Sequence, residues 1–387
     1  MKSLRSGAEW VAAGLLVVLW PTQRLIALLL GRRRWSVWTG RPIITLAVNA
    51  QAERLLGVRA ASLVTQTYYI TNSFDIQLAS ATQPRIWRYL MAWCGLMGIL
   101  FLARRVHTFH DGGLLPPDQR FSFNTRELWL YRVFGLEHVV WTYGADVRTR
   151  ARTQSLGEPN CCADCDAVGR HCICDDVLGQ RNVERVRCGA AMTAAMGDMV
   201  EYVPMARRDL FFWPLDLDQP RFAQTSVPQP RPGPLRVVHA PNHPQFKGSR
   251  YLIDAIEQLR EEGVPVELVR VERVPNDEAL AIYRTADVVF DQCLIGFHGY
   301  FALEAMALGK PVMVFIRKPS YLLHPEECPL IQVTRETIAQ QLRYFATNRL
   351  ALADIGQLSR DYVARHYGVD AFAQRLARAY QEEGIQP

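Results

Sequence analysis

This 387-residue chain has little net charge. Its 44 bases and 38 acids leave a net charge of only +6, too little to mark a nucleic-acid binder by bulk charge. Internal repeats and low-complexity segments are absent, so nothing points to a repeat architecture or a biased tail. No small-x-small cleavage site follows the apolar N-terminal run that ends at Trp20, which argues against a cleaved signal peptide. What the chain does have is apolar material: 49% hydrophobic and 10% aromatic residues against 21% charged. That supports large cores and excludes disordered and collagen-like classes. At roughly 100 to 200 residues per domain, the length implies two or three domains.

The charge is unevenly spread. Residues 1–34 hold six bases (Lys2, Arg5, Arg24, Arg32, Arg33, Arg34) against Glu9, so +5 of the +6 precedes Trp35. The same segment carries the apolar runs Trp10 to Trp20 and Leu25 to Leu30. A spanning helix needs about 20 mostly apolar residues, and an arginine near its middle costs about 2.5 to 3.5 kcal/mol. The expected form is an interfacial helix or shallow hairpin, held by apolar burial and by roughly 1 kcal/mol per base near anionic lipid. A spanning anchor and an ordinary packed helix are the alternatives. A second apolar stretch, Leu90 to Ala103, is 14 residues long and too short to span. It reads as a helix buried on one face of a sheet, or else as a second contact with the same membrane.

From Trp35 onward, short apolar runs alternate with helical patterns, the signature of parallel strands joined by crossover helices. In the first half, Pro42 to Val48, Val106 to Phe109 and His138 to Tyr143 read as strands, and Ala50 to Leu56 as a helix. Residues 214–234, rich in proline, read as a linker. The second half restarts with strands at Leu235–Ala240, Val264–Val271, Asp287–Phe290 and Pro311–Phe315, and helices at Ser249–Glu262, Asp277–Arg284 and Gly299–Leu308. Helical patterns over Glu336–Asn348 and Ala351–Glu383 close the chain. Open parallel sheets bind ligands beyond the carboxyl ends of their strands.

Two constellations lie at such ends. Phe246-Lys247-Gly248-Ser249 joins the first strand of the second half to a helix, and a lysine beside a helix N-terminus suits a phosphate or diphosphate. The run from Asp291 to Val312 ends its strand at Asp291, opens a helix near Gly299 after glycines at 296 and 299, and sets Glu304 in that helix, where a carboxylate can accept two ribose hydroxyls. Together these segments resemble the donor-binding half of family 4 type glycosyltransferases of GT-B architecture. The likeness rests on Lys247-Gly248 and on the Glu-Ala-Met-Ala-x-Gly-x-Pro-Val run from Glu304 to Val312. It implies that Lys247 contacts a nucleotide-sugar diphosphate and Glu304 holds the ribose; Gly248, Gly299, Asn242 and His298 are the further donor-binding candidates of this sequence. It covers residues 235 to about 366. In the first half, His138 to Asp146 resembles the family's strand leading to a His-Gly-x-Asp turn, and Val203-Pro204 with Trp213-Pro214-Leu215-Asp216 resembles its run into the second domain. Three positions depart from the pattern: Gly296 replaces a glutamate, Asn242 an arginine and Tyr143 the turn histidine. His298 or Asp291 would then supply the glutamate's contacts, and His239 or His243 the arginine's.

Five cysteines fall between Cys161 and Cys174, and Cys162, Cys165, Cys172 and Cys174 offer four thiolates in one short loop. Structural zinc is the expected occupant, with an iron-sulfur cluster, disulfides and free thiols as alternatives. Disulfides are disfavoured because an enzyme of this resemblance would face the cytosol. Four thiolates leave no open position, so such a metal would order the loop and not catalyse. In His107-Thr108-Phe109-His110-Asp111, a histidine beside an aspartate at a strand end could be a general base for an acceptor hydroxyl. His110 is preferred over His107, because strand alternation points the two to opposite faces. Asp146 is its catalytic companion in the turn the family resemblance marks.

The expectation is an α/β protein of GT-B class, two Rossmann-like parallel-sheet domains facing a cleft, plus an N-terminal apolar helical segment. The boundaries are 1–34 for that segment, 35–213 for an acceptor-side domain with a cysteine-rich insertion at 158–188, 214–234 for the linker, 235–366 for the donor domain and 367–387 for a final helix. The implied reaction moves a sugar from a nucleotide diphosphate sugar to an acceptor hydroxyl, with retention and without a catalytic metal. The acceptor would be a sugar, a lipid-linked sugar or a glycolipid, met by a cytoplasmic enzyme at the inner face of a membrane, with no nucleic-acid partner. A nucleotide-sugar epimerase or hydrolase, and a non-catalytic membrane scaffold with a degenerate donor site, are the alternatives.

Overall fold

A computed structural model describes residues 2–29, 35–163, 165–223 and 231–386. Expectations placed on Leu30, on Arg32 to Arg34 and on 224–230 of the linker lie outside these residues. The first half opens with helices α1 (Lys2–Val18) and α2 (Trp20–Leu29), followed by β1 (Trp35–Thr39), α3 (Thr45–Arg54), β2 (Arg59–Val64) and β3 (Ile76–Gln77). It continues through α4 (Arg85–Leu102), β4 (Ala103–Phe109), α5 (Thr125–Val133), β5 (Glu137–Trp141), α6 (Arg150–Ser155), α7 (Asp176–Arg187) and β6 (Met192–Ala194). The second half comprises β7 (Leu235–His239), α8 (Pro244–Lys247), α9 (Ser249–Glu261), β8 (Val266–Arg270), α10 (Asn276–Tyr283), β9 (Val288–Gly296) and α11 (Tyr300–Ala307). It closes with β10 (Val312–Ile316), β11 (Ile331–Gln332), α12 (Ile338–Thr347), α13 (Arg349–His366) and α14 (Val369–Glu382).

Among the described residues the strands form two sheets, ordered β3-β2-β1-β4-β5-β6 and β11-β10-β9-β7-β8, and the strand pairs within them are parallel. The central strands are buried on both sides by crossover helices, which is why Val288–Phe290 and Val312–Ile316 read as unbroken apolar runs. The amphipathic helices α9, α12 and α14 lay Leu252, Ile256, Leu342, Phe372 and Leu376 into these cores.

Three expectations are corrected. Pro42 to Val48 is not a strand: β1 lies earlier, at Trp35–Thr39, and Thr45–Val48 opens α3. The apolar residues Leu46 and Val48 mislead because a helix turn buried on one side looks like a short strand. The strand carrying Asp291 does not end there but runs on to Gly296. Gln292 props the irregular stretch, accepting the N–H groups of Leu294 and Ile295 and donating to the carbonyls of Phe297 and Phe315. Residues 214–223 are not a bare linker, since Leu215 pairs with Gly368 and Phe222 is buried. The final helix expected at 367–387 is α14 (Val369–Glu382). Helix α14 returns to the first half, where Tyr380 Oη donates to Glu53 at 2.9 Å and lies under the Arg105 guanidinium, and where Phe372 meets Trp141.

Helix α1 is a packed helix on its inner side. Ala13 and Leu16 join the first half's core, Glu9 accepts Tyr89 Oη of α4 at 3.0 Å, and Trp10 meets Trp129 of α5 edge-on.

Candidate functional site

On the donor side, β7 ends at His239 and the chain passes through an exposed Asn242 into α8, whose last residue is Lys247. Gly248, at φ +74°, turns the chain into α9, and a Cβ there would strike the Cys293 sulfur. His239 is buried between elements. A carbonyl only accepts, so Nδ1 donates to Phe290 at 2.8 Å and Nε2 accepts the Ser249 hydroxyl at 2.7 Å. Burial lowers its pKa to about 4, which makes it a neutral strut rather than a replacement for the missing arginine. His243 is half-buried against His171 of the cysteine-rich loop, with ring centroids 4.4 Å apart.

Lys247 Nζ donates to Asp291 Oδ1 at 2.5 Å, and Asp291 Oδ2 accepts the N–H of Gly299 at 2.6 Å. Asp291 is fully buried, while the Lys247 side chain keeps 15% of its surface in solvent. A Cβ at 299 would lie 2.9 Å from Nζ and 3.3 Å from Oδ1, so a side chain there would push the lysine tip aside. Lysine, helix start and glycine therefore form one corner, with an internal carboxylate already holding two of its donors. The donors left for an incoming anion are the remaining N–H bonds of Nζ and the N–H groups of Tyr300 and Phe301, which have no acceptor within α11. Glu304 follows Gly299 by about one and a half turns, about 7 Å of rise. It is buried, accepts Asn276 Nδ2 at 2.8 Å, and is pushed by burial up to a pKa of about 7, against the pull of Asn276 and Arg221.

His298 is buried at the seam between halves, its Nε2 3.4 Å from Tyr367 Oη and its ring near Trp213. Burial lowers its pKa to about 4. At Gly296 the backbone has φ +96°, and a Cβ would lie 2.9 Å from Arg317 Cβ. Arg317 instead reaches into the first half, donating to the carbonyls of Leu156, Gly157 and Pro159. Where the family carries a glutamate, this chain has an interdomain arginine clasp.

On the acceptor side, the ends of β4 and β5 bring His110, Asp111, Tyr143 and Asp146 together. Asp111 does not orient His110; it accepts Arg41 Nε at 2.8 Å and Tyr143 Oη at 2.9 Å. His110 is fully buried with neither ring nitrogen hydrogen-bonded, and burial lowers its pKa to about 4. Asp146 clamps the turn, accepting the N–H groups of Tyr143 and Gly144 at 3.0 Å each and that of His110 at 3.3 Å. Burial, with Asp111 nearby, raises its pKa to about 7. His107 is a core residue, stacked on Trp38 and 3.0 Å from Ser36 Oγ.

The thiol loop falls short of a tetrahedral set. Cys172 and Cys174 sulfurs approach to 3.1 Å, and Cys161 and Cys162 are hydrogen-bonded to each other. That bond, aided by Arg148, lowers the Cys162 thiol to about 6. Among the described residues, no three of these sulfurs lie mutually within 4.8 Å, whereas zinc at about 2.3 Å from each sulfur needs all four together. The loop packs instead on Phe246 and Cys293 of the second half. Two relations escaped the sequence reading, Asp291 as the direct partner of Lys247 and Asn276 as that of Glu304; both depend on pairings across 44 and 28 residues.

No protein-family model matches the chain, and no curated protein does. Solved structures do. Anabaena Alr3699/HepE in complex with UDP and glucose superposes with a TM-score of 0.59 at 11% identity, over 90% of this chain and 100% of that one. Sucrose-phosphate synthase from Thermosynechococcus elongatus gives 0.57 at 13%, over 91% and 99%. WaaG, a glycosyltransferase involved in lipopolysaccharide biosynthesis, gives 0.50 at 13%, over 89% and 99%. The fold is GT-B.

Proposed function

We propose that this chain is a glycosyltransferase that moves a sugar from a nucleotide diphosphate sugar to an acceptor hydroxyl. The observation that carries the reading is the corner of Lys247, Asp291 and Gly299 at the start of α11, with Glu304 farther along the same helix. The solved HepE complexes with UDP and with UDP-glucose support the donor class. In the transfer, the bond from the anomeric carbon to the diphosphate oxygen breaks and one to the acceptor oxygen forms. Lys247 and the free N–H groups of α11 stabilise the charge developing on the diphosphate, which is electrostatic preorganisation. Glu304 accepts the ribose hydroxyls. His110, neutral with both nitrogens unpaired, is the candidate to take the acceptor's proton, and Asp146 positions it through its backbone N–H. Retention follows the family resemblance. A lipid-borne acceptor at the cytoplasmic face fits the basic, apolar N-terminus, and WaaG offers a parallel in lipopolysaccharide synthesis.

A non-catalytic scaffold is the second reading, favoured by Asp291 standing in the anion corner and by Gly296. Titration calorimetry with a panel of nucleotide sugars separates the two. Transferase function predicts binding of at least one of them, weakened at least about tenfold in Lys247→Ala by loss of a charged contact. No binding by any would leave the scaffold. Donor turnover that needs no acceptor would favour the hydrolase or epimerase.

A further inference from the structure

A crossover helix in a parallel-sheet domain buries one side, and its outer side is normally charged. Helix α4 departs from this. Its inner residues Ala92, Gly95, Leu96, Ile99 and Leu100 are buried against the first sheet. On the opposite side Ile86, Trp87, Leu90, Cys94 and Met97 are exposed, and they fall within about 100° of arc at 3.6 residues per turn. No charged residue shares that arc. The neighbouring α1 does the same with Val11, Leu15 and Val18, which are 65%, 64% and 73% exposed. The two helices are fastened together by the bond from Tyr89 to Glu9.

The concentration of such residues is what decides against ordinary scatter. Of 22 large hydrophobic residues exposed among the described residues, 16 lie in the first 102. Charge follows the same division. Residues 1–104 carry twelve bases and three acids, a net +9, and the other 283 carry a net −3.

The geometry points to α1 and α4 together as a shallow insertion surface for an anionic lipid leaflet. Their apolar sides enter the boundary between headgroups and acyl chains, and the net positive charge of residues 1–104 draws this part of the chain to anionic lipid. Helix α4, at 18 residues, is not too short to span, as its apolar run alone suggested, but long and apolar enough to cross a membrane; because its inner side belongs to the sheet's core, it lies in the surface. The surface rests on the reading of a lipid-borne acceptor for its purpose, but not for its existence.

The test is co-sedimentation of the full chain with vesicles of phosphatidylcholine alone and of phosphatidylcholine mixed with phosphatidylglycerol. The chain is expected to bind the mixed vesicles and to release as salt is added. The double variants Trp87→Glu/Leu90→Glu and Val11→Glu/Leu15→Glu should each lower partitioning at least about tenfold. Circular dichroism and nucleotide-sugar binding check that the variants fold. Wild-type protein that ignores anionic vesicles, or folded variants that bind them as wild type does, would overturn the proposal. So would a dimer in ultracentrifugation that these substitutions dissociate, since a second copy would then cover the surface. Vesicle binding without nucleotide-sugar binding would sink the transferase reading alone.

Discussion

Glu304 allows the donor-site reading to be tested through pH. Burial raises its pKa from 4.5 to about 7, and at about 1.36 kcal/mol per tenfold change in acidity this sets about 3 kcal/mol against ionisation. Because the folded value lies above the unfolded one, the associated stability is complete below pH 4.5 and is lost as pH rises through 7. Ribose hydroxyls donate to the carboxylate, so binding favours the charged form and the sign reverses. Affinity for a nucleotide sugar, whose esterified phosphates have no proton to lose in this range, should therefore rise roughly tenfold between pH 6 and pH 8. In Glu304→Gln that rise should vanish. The variant should bind about 1.5 to 3 kcal/mol more weakly at pH 8, yet lose about 3 kcal/mol less stability than wild type between pH 4 and pH 8. Asp146 and Glu127 also titrate near 7, but both persist in the variant, so the difference isolates Glu304. Calorimetric titrations and urea melts across this range provide both measurements. Wild-type affinity that is flat from pH 6 to pH 8, or equal affinity in the variant at pH 8, would refute the ribose role.

Gly299→Ala should weaken nucleotide-sugar binding at least about tenfold while leaving the fold intact, because its Cβ would press on Lys247 Nζ from 2.9 Å; binding equal to wild type in calorimetry would contradict the corner. Gly197→Ala should cost about 3 kcal/mol or more in urea unfolding, since φ is +59° and the new Cβ would enter the Phe297 ring; a loss under about 1 kcal/mol would mean the seam between halves yields easily. Tyr380→Phe removes a buried bond to Glu53 but leaves the Arg105 and Trp38 bonds in place, so about 1 to 2 kcal/mol should be lost in the same assay.

The second half was the more legible because its strands are central and doubly buried, so each is an apolar run bounded by turn residues. The first half hid β2, whose Arg59-Ala60-Ala61-Ser62 start has no such signature. It also hid β1 behind the more apolar Pro42–Val48. Lys247, Gly299 and Glu304 could be picked out because helix starts, glycines and a lone carboxylate in an apolar helix carry local chemistry. The engagement of Asp291 could not, because residue type does not reveal which of several nearby cations a buried aspartate faces. The same limit explains His239 and the thiols. A histidine at a strand end fits several roles, and here the partners Ser249 and Phe290 decide between them; a cluster of cysteines likewise fits several, and its packing on Phe246 lies far away in sequence.

The return of α14 bears on how this molecule is made. Domains commonly fold as they leave the ribosome, the earlier one first. Here the layer of Trp38, Trp141 and Glu53 is closed by Phe372 and Tyr380, residues synthesised after every strand of the second sheet. The first half must wait, incompletely covered, while the second is translated, and the emergence of α14 is the moment at which both halves can finish together.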